Sequence, residues 1–116
     1  MYYIEIQKEQ IPYITEVVIN GEIFNLKFDY NIYDERIYCS LYDKNEKLLV
    51  EDEPITMGQM LFARLYIDNA GNFRNEFPRA VIVPNFYDAS KKDKMTYENI
   101  DEWALFVEEL WWDGQV

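Results

Sequence analysis

Residues 24–31 read FNLKFDYN, with Phe24, Leu26, Phe28 and Tyr30 alternating with Asn25, Lys27, Asp29 and Asn31. Strict alternation is the period of an extended strand with one dry face and one wet face, whereas a helix would scatter the same aromatics around its circumference. Immediately upstream stands Asn20-Gly21, preceded by the apolar-rich run YITEVVI at residues 13–19. Asparagine and glycine both tolerate positive φ, the requirement of a two-residue hairpin turn, so residues 13–31 predict a β-hairpin with its tip at Asn20-Gly21. Residues 36–42 (RIYCSLY) continue the pattern, with Ile37, Cys39 and Leu41 on one face and Tyr38, Ser40 and Tyr42 on the other. The predicted core of this unit is therefore Phe24, Leu26, Phe28, Ile37, Cys39 and Leu41.

The rest of the chain extends a mainly β reading. Residues 2–7 (YYIEIQ) form a short extended run that suits an edge strand. Asp43-Lys44-Asn45-Glu46 supplies turn chemistry before Lys47-Leu48-Leu49-Val50, giving a second hairpin and a meander of at least four strands. Glu51-Asp52-Glu53-Pro54 and Gly58 bracket a loop, and the apolar run at residues 60–67 (MLFARLYI) has a periodicity that leaves helix and strand open, with strand the expectation. Asp68-Asn69-Ala70-Gly71-Asn72 is a turn, and residues 90–94 form an exposed loop tip. Two final β runs are expected around residues 79–83 and 103–110. In the last, Trp103, Phe106, Val107 and Leu110 also share a helical face, so periodicity leaves helix and strand open. The expected fold is a small antiparallel barrel-like or sandwich domain built on a β meander, a single domain over residues 1–116.

Composition narrows function. At 116 residues the chain fits one domain of common size. Hydrophobic residues are 49% and aromatics 17% of it, enough to build a folded core and in favour of sheet. Twenty-two acids against eleven bases give a formal charge of −11, a field that repels phosphate and opposes nucleic-acid binding. Without histidine and with one cysteine, the chain lacks an internal disulfide and the usual zinc or copper ligands; no metal and no cofactor are expected. That usage suits a reducing cytoplasm, and the start Met1-Tyr2-Tyr3-Ile4-Glu5-Ile6 shows neither a basic leader nor a long apolar run, so no membrane association is expected.

Acid clusters at Asp34-Glu35, Glu51-Asp52-Glu53, Asp101-Glu102 and Glu108-Glu109 raise the possibility of a carboxylate pair in a hydrolase. With so many acids, adjacent pairs arise by chance and read as solvated surface. Asp68 to Asn72 places its glycine fourth and not sixth, and Arg79 stands where a calcium loop needs glutamate. Cys39 sits on an apolar face with no histidine to activate it, and reads as core. No catalytic residue is assigned. Trp111-Trp112 stands apart: two adjacent indoles cannot both enter one strand face, so one of them is expected to reach a partner or to lie over the core as a lid.

In order along the chain, Ile11-Pro12-Tyr13, Asn20-Gly21-Glu22-Ile23-Phe24, Tyr30-Asn31, Leu41-Tyr42-Asp43, Leu48-Leu49-Val50 and Gly58-Gln59-Met60-Leu61-Phe62 resemble the small baseplate plug proteins of contractile-tailed bacteriophages, the cyanophage-type plug. Phe77-Pro78-Arg79-Ala80, Asp88 with its charged loop, and Thr96-Tyr97-Glu98-Asn99 extend the resemblance through the second half. It departs at residues 63–76 and at the Trp-Trp tail. The resemblance implies a compact β-barrel-like, non-enzymatic structural protein, made in the host cytoplasm and placed in the virion tail baseplate. There it would close the tail tube lumen at the central hub, with tail hub or tube proteins as partners and Trp111 and Trp112 as the candidate contact; self-association is left open. It also implies that residues 103–110 are a strand. Two other classes fit the composition: an acidic inhibitor or immunity-type protein seated on a basic protein surface, and a carbohydrate-binding module using exposed aromatic rings.

Overall fold

A computed structural model describes residues 2–63 and 78–109. Among them are seven strands: β1 (Tyr2–Ile4), β2 (Tyr13–Ile19), β3 (Glu22–Asn31), β4 (Arg36–Asp43), β5 (Leu48–Pro54), β6 (Ala80–Phe86) and β7 (Trp103–Glu109). Single 3₁₀ turns lie at Lys8–Gln10 and Ile100–Glu102. The strands form two antiparallel sheets, a four-stranded meander in the order β2-β3-β4-β5 and a three-stranded sheet in the order β1-β7-β6. The architecture is that of a small β sandwich on a meander.

The meander follows from its turns. Ile19 pairs with Glu22 across Asn20-Gly21, whose φ angles of 52° and 79° are both positive, as a two-residue turn of the inverse type requires. That register sets Leu26 opposite Thr15 and Phe28 opposite Tyr13, and the β3–β4 turn then brings Leu26 opposite Leu41 and Phe28 opposite Cys39. All six residues expected in the core are buried. They join Ile82, Trp103, Leu105 and Val107 of the other sheet in one hydrophobic cluster, and the Tyr13 ring packs on Phe28 at 5.4 Å between centroids. The opposite face of β4 is partly covered too: Ser40 is buried, and Tyr38 and Tyr42 are half-buried.

Several sequence expectations hold and some are corrected. β1 is an edge strand, and residues 103–109 are strand and not helix, paired with β6 along its whole length. Residues 90–94 form a largely exposed loop in which Lys91 folds back to the Glu102 carboxylate and Lys94 to Asp34 O. Glu51-Asp52-Glu53-Pro54, expected to open a loop, instead belongs to β5. A bulge accommodates this run: between the pairs Cys39–Glu53 and Leu41–Val50, Glu51 and Asp52 together face Ser40. Asp52 takes φ of 50°, its N–H donates to Ser40 Oγ at 2.9 Å, and its charged side chain stays in solvent.

The strand expected over residues 60–67 is contradicted in its described part. Met60 is irregular and residues 61–63 turn, with Phe62 at φ 63°, a left-handed conformation that breaks an extended run. Leu61 N–H donates to Ile82 O at 2.8 Å and Phe62 N–H to the Glu53 carboxylate, so both apolar side chains are buried from a turn and not from a ladder. Residues 64–67 and the turn expected at Asp68 to Asn72 lie outside the described residues.

Candidate functional site

In each acid cluster raised as a possible catalytic pair, one carboxylate is occupied in holding the chain together. Asp34 accepts from Arg36 N–H at 2.9 Å and from the Tyr38 hydroxyl, and these hydrogen bonds, the tyrosine's first, hold its carboxyl below the ordinary aspartate range. Glu53 accepts the Phe62 N–H, and Glu102 pairs with Lys91. Glu109 accepts from Asn20 N–H and, at 3.2 Å, from the Tyr2 hydroxyl, so it ties the end of β7 to the β2–β3 turn. Burial and then that carboxylate push the Tyr2 hydroxyl up to about 12. In the described residues no three of Asp, Glu, Cys and His converge as metal ligands would. Cys39 is fully buried and burial pushes its thiol far up, which keeps it protonated and a poor nucleophile.

The surface is not evenly apolar. Ile14, Val18 and Ile23 are exposed on the outer face of β2 and β3, with Glu16 between the first two. Among the described residues, the most exposed large apolar side chains occupy the β3–β4 turn, where Ile32 is 72% and Tyr33 92% accessible. The turn is well braced: Glu35 N–H reaches Asn31 O at 2.8 Å and Tyr33 N–H reaches Asn31 Oδ1 at 2.8 Å. From the loop before β7, Lys94 Nζ donates to Asp34 O at 3.0 Å and Tyr97 N–H to Glu35 O at 3.3 Å. Tyr97 also stacks on Tyr30 with ring centroids 4.8 Å apart. Beside the turn lies an open groove of about 550 Å³ lined by Tyr30, Ile32, Tyr33 and Tyr38, with Asp29 and Asp52 as its charged members.

Of the residues singled out from sequence, Trp111 and Trp112 lie outside the described residues. Ile32 and Tyr33 were not singled out. Their signal was present as two large apolar residues in a turn bounded by Asn31 and Asp34, both good turn formers, so nothing drew the pair inward.

Residues 1–109 match the family described as cyanophage baseplate Pam3 plug gp18. The chain belongs to the cyanophage baseplate plug family. The match spans both sheets and stops before the Trp-Trp tail. No curated protein matches the chain. Membership places this plug-family protein in the virion tail baseplate, as a structural component associated with other baseplate or tail proteins.

Proposed function

We propose that this plug-family protein is a non-enzymatic domain of 116 residues that closes the tail tube lumen at the baseplate hub by binding hub or tube proteins, and that it leaves when the tail contracts. The observation that carries the reading is the family match over residues 1–109, nearly the whole chain. The physics is consistent with it. A plug must resist deformation, and a sandwich whose carboxylates tie turns to strands suits that task. It must also release the genome without holding it, and a charge of −11 disfavours contact with DNA.

Trp111 and Trp112 are the proposed anchor at the hub, on the sequence argument that adjacent indoles cannot share one strand face. The test is co-expression of the chain with hub and tube proteins of the same genome, followed by native mass spectrometry. The wild type should form a complex, and Trp111→Ala with Trp112→Ala should weaken it by at least about thirtyfold, as expected for an indole at an interface centre. An unchanged complex would remove the anchor; no complex with any tail protein would defeat the reading.

A further inference from the structure

The braced β3–β4 turn is built to display Ile32 and Tyr33, and we infer that it is a docking finger for a partner protein whose apolar pocket is rimmed by lysine or arginine. The inference rests on the baseplate reading above, which supplies the setting, and it adds the surface and the chemistry of its partner.

Three observations converge. The first is exposure without disorder. Tyr33 is 92% and Ile32 72% accessible, yet their turn is held by backbone and side-chain hydrogen bonds at both shoulders and from the loop before β7. Large apolar side chains kept in water on a pre-ordered turn lose little conformational entropy on binding, which is what makes a rigid aromatic an efficient anchor. The second is the groove behind the finger. Its lining combines the rings of Tyr30, Tyr33 and Tyr38 with the carboxylates of Asp29, which Lys27 pairs at 3.4 Å, and Asp52. Aromatic faces beside carboxylates bind a guanidinium or ammonium group through cation–π attraction and charge pairing together.

The third is the disposition of neighbouring cations. Lys27 is drawn to Asp29 at 3.4 Å, Lys94 is engaged at Asp34 O, and Arg36 donates to Thr56 Oγ1 at 3.3 Å. Asp52 faces solvent beside the groove with its backbone N–H, not its carboxylate, making the shorter of its two bonds to Ser40. A partner's basic side chain thus finds the solvent-facing Asp52 carboxylate next to an apolar anchor, and the −11 charge of the whole chain steers the approach of a basic surface. The exposed apolar residues of the β2 outer face are interrupted by Glu16 and are less accessible than Ile32 and Tyr33.

The test measures binding of the purified chain to each hub and tube protein of the same genome by isothermal titration calorimetry, over a range of salt concentrations. Wild type, Ile32→Ser with Tyr33→Ser, and Ile14→Ser with Val18→Ser are compared, with unfolding midpoints determined for all. The finger variant should keep its midpoint and lose at least about thirtyfold in affinity. The β2 variant should bind like the wild type, and the wild-type affinity should fall as salt rises. Tyr33→Ala alone, at a side chain almost wholly in water, serves if the double variant misfolds. A wild-type complex that the finger variants form within about threefold would overturn the finger and leave the baseplate reading standing. A complex that is insensitive to salt would overturn the basic-rimmed partner. Absence of any complex with the wild type would overturn both.

Discussion

Phe28→Ala should destabilise the fold by about 3–5 kcal/mol, the range for emptying a fully buried aromatic site. Phe28 has no solvent exposure, stands opposite Cys39 on β4 and Tyr13 on β2, and carries the Tyr13 ring on its own. Strands that hold their partners by backbone pairing on both sides cannot slide inward to refill the space, so the loss includes both transfer and cavity contributions. Since domains of this kind are stable by only about 5–15 kcal/mol, the variant should show a much lower denaturation midpoint in urea. A loss under about 1 kcal/mol would mean that the inner face of the meander is not the core.

Trp103→Ala should cost about as much, roughly 3–5 kcal/mol, and its effect should reach further. Trp103 is 1% exposed at the start of β7, and its indole N–H donates to Asn99 Oδ1 at 2.8 Å. The same oxygen accepts Thr96 N–H at 2.9 Å, while Asn99 Nδ2 donates to Lys94 O at 2.8 Å. Lys94 and Tyr97 in turn hold the carbonyls of the β3–β4 turn, so the indole anchors a loop that braces the finger. Trp103→Phe should lose far less, about 1 kcal/mol for the hydrogen bond plus repacking, because Asn99 keeps its Thr96 donor. Denaturant titration of both variants checks this order. Equal losses would show that the hydrogen bond, and not the buried volume, dominates at this site.

The parts of the fold legible in the sequence are those where local chemistry and long-range packing agree. Phe24, Leu26 and Phe28 alternate because one sheet face is buried, and Asn20-Gly21 turns because only such residues accept two positive φ angles in succession. Where the two levels diverge, the sequence misleads. Glu51-Asp52-Glu53 looks like loop by charge, but a bulge opposite Ser40 lets Glu51 and Asp52 stay wet within a strand while Glu53 caps the Phe62 N–H. The apolar residues Leu61 and Phe62 look like strand, but they are buried from a turn whose N–H groups are caught by Ile82 O and Glu53, a long-range arrangement without a local trace. The choice between helix and strand for residues 103–109 is settled by pairing with β6 and β1, partners that periodicity does not contain. The surface was the least legible: Ile32 and Tyr33 lie in a turn, where apolar character carries no period to read.

The central claim, that this baseplate protein closes the tube, is tested most directly by electron cryomicroscopy of the virion tail before and after contraction. The extended tail should show density at the hub end of the tube lumen into which the two sheets of β2-β3-β4-β5 and β1-β7-β6 fit, and contracted tails should lack it. Density for the chain on the outside of the baseplate with an open lumen, or density in the lumen that persists unchanged after contraction, would contradict the account.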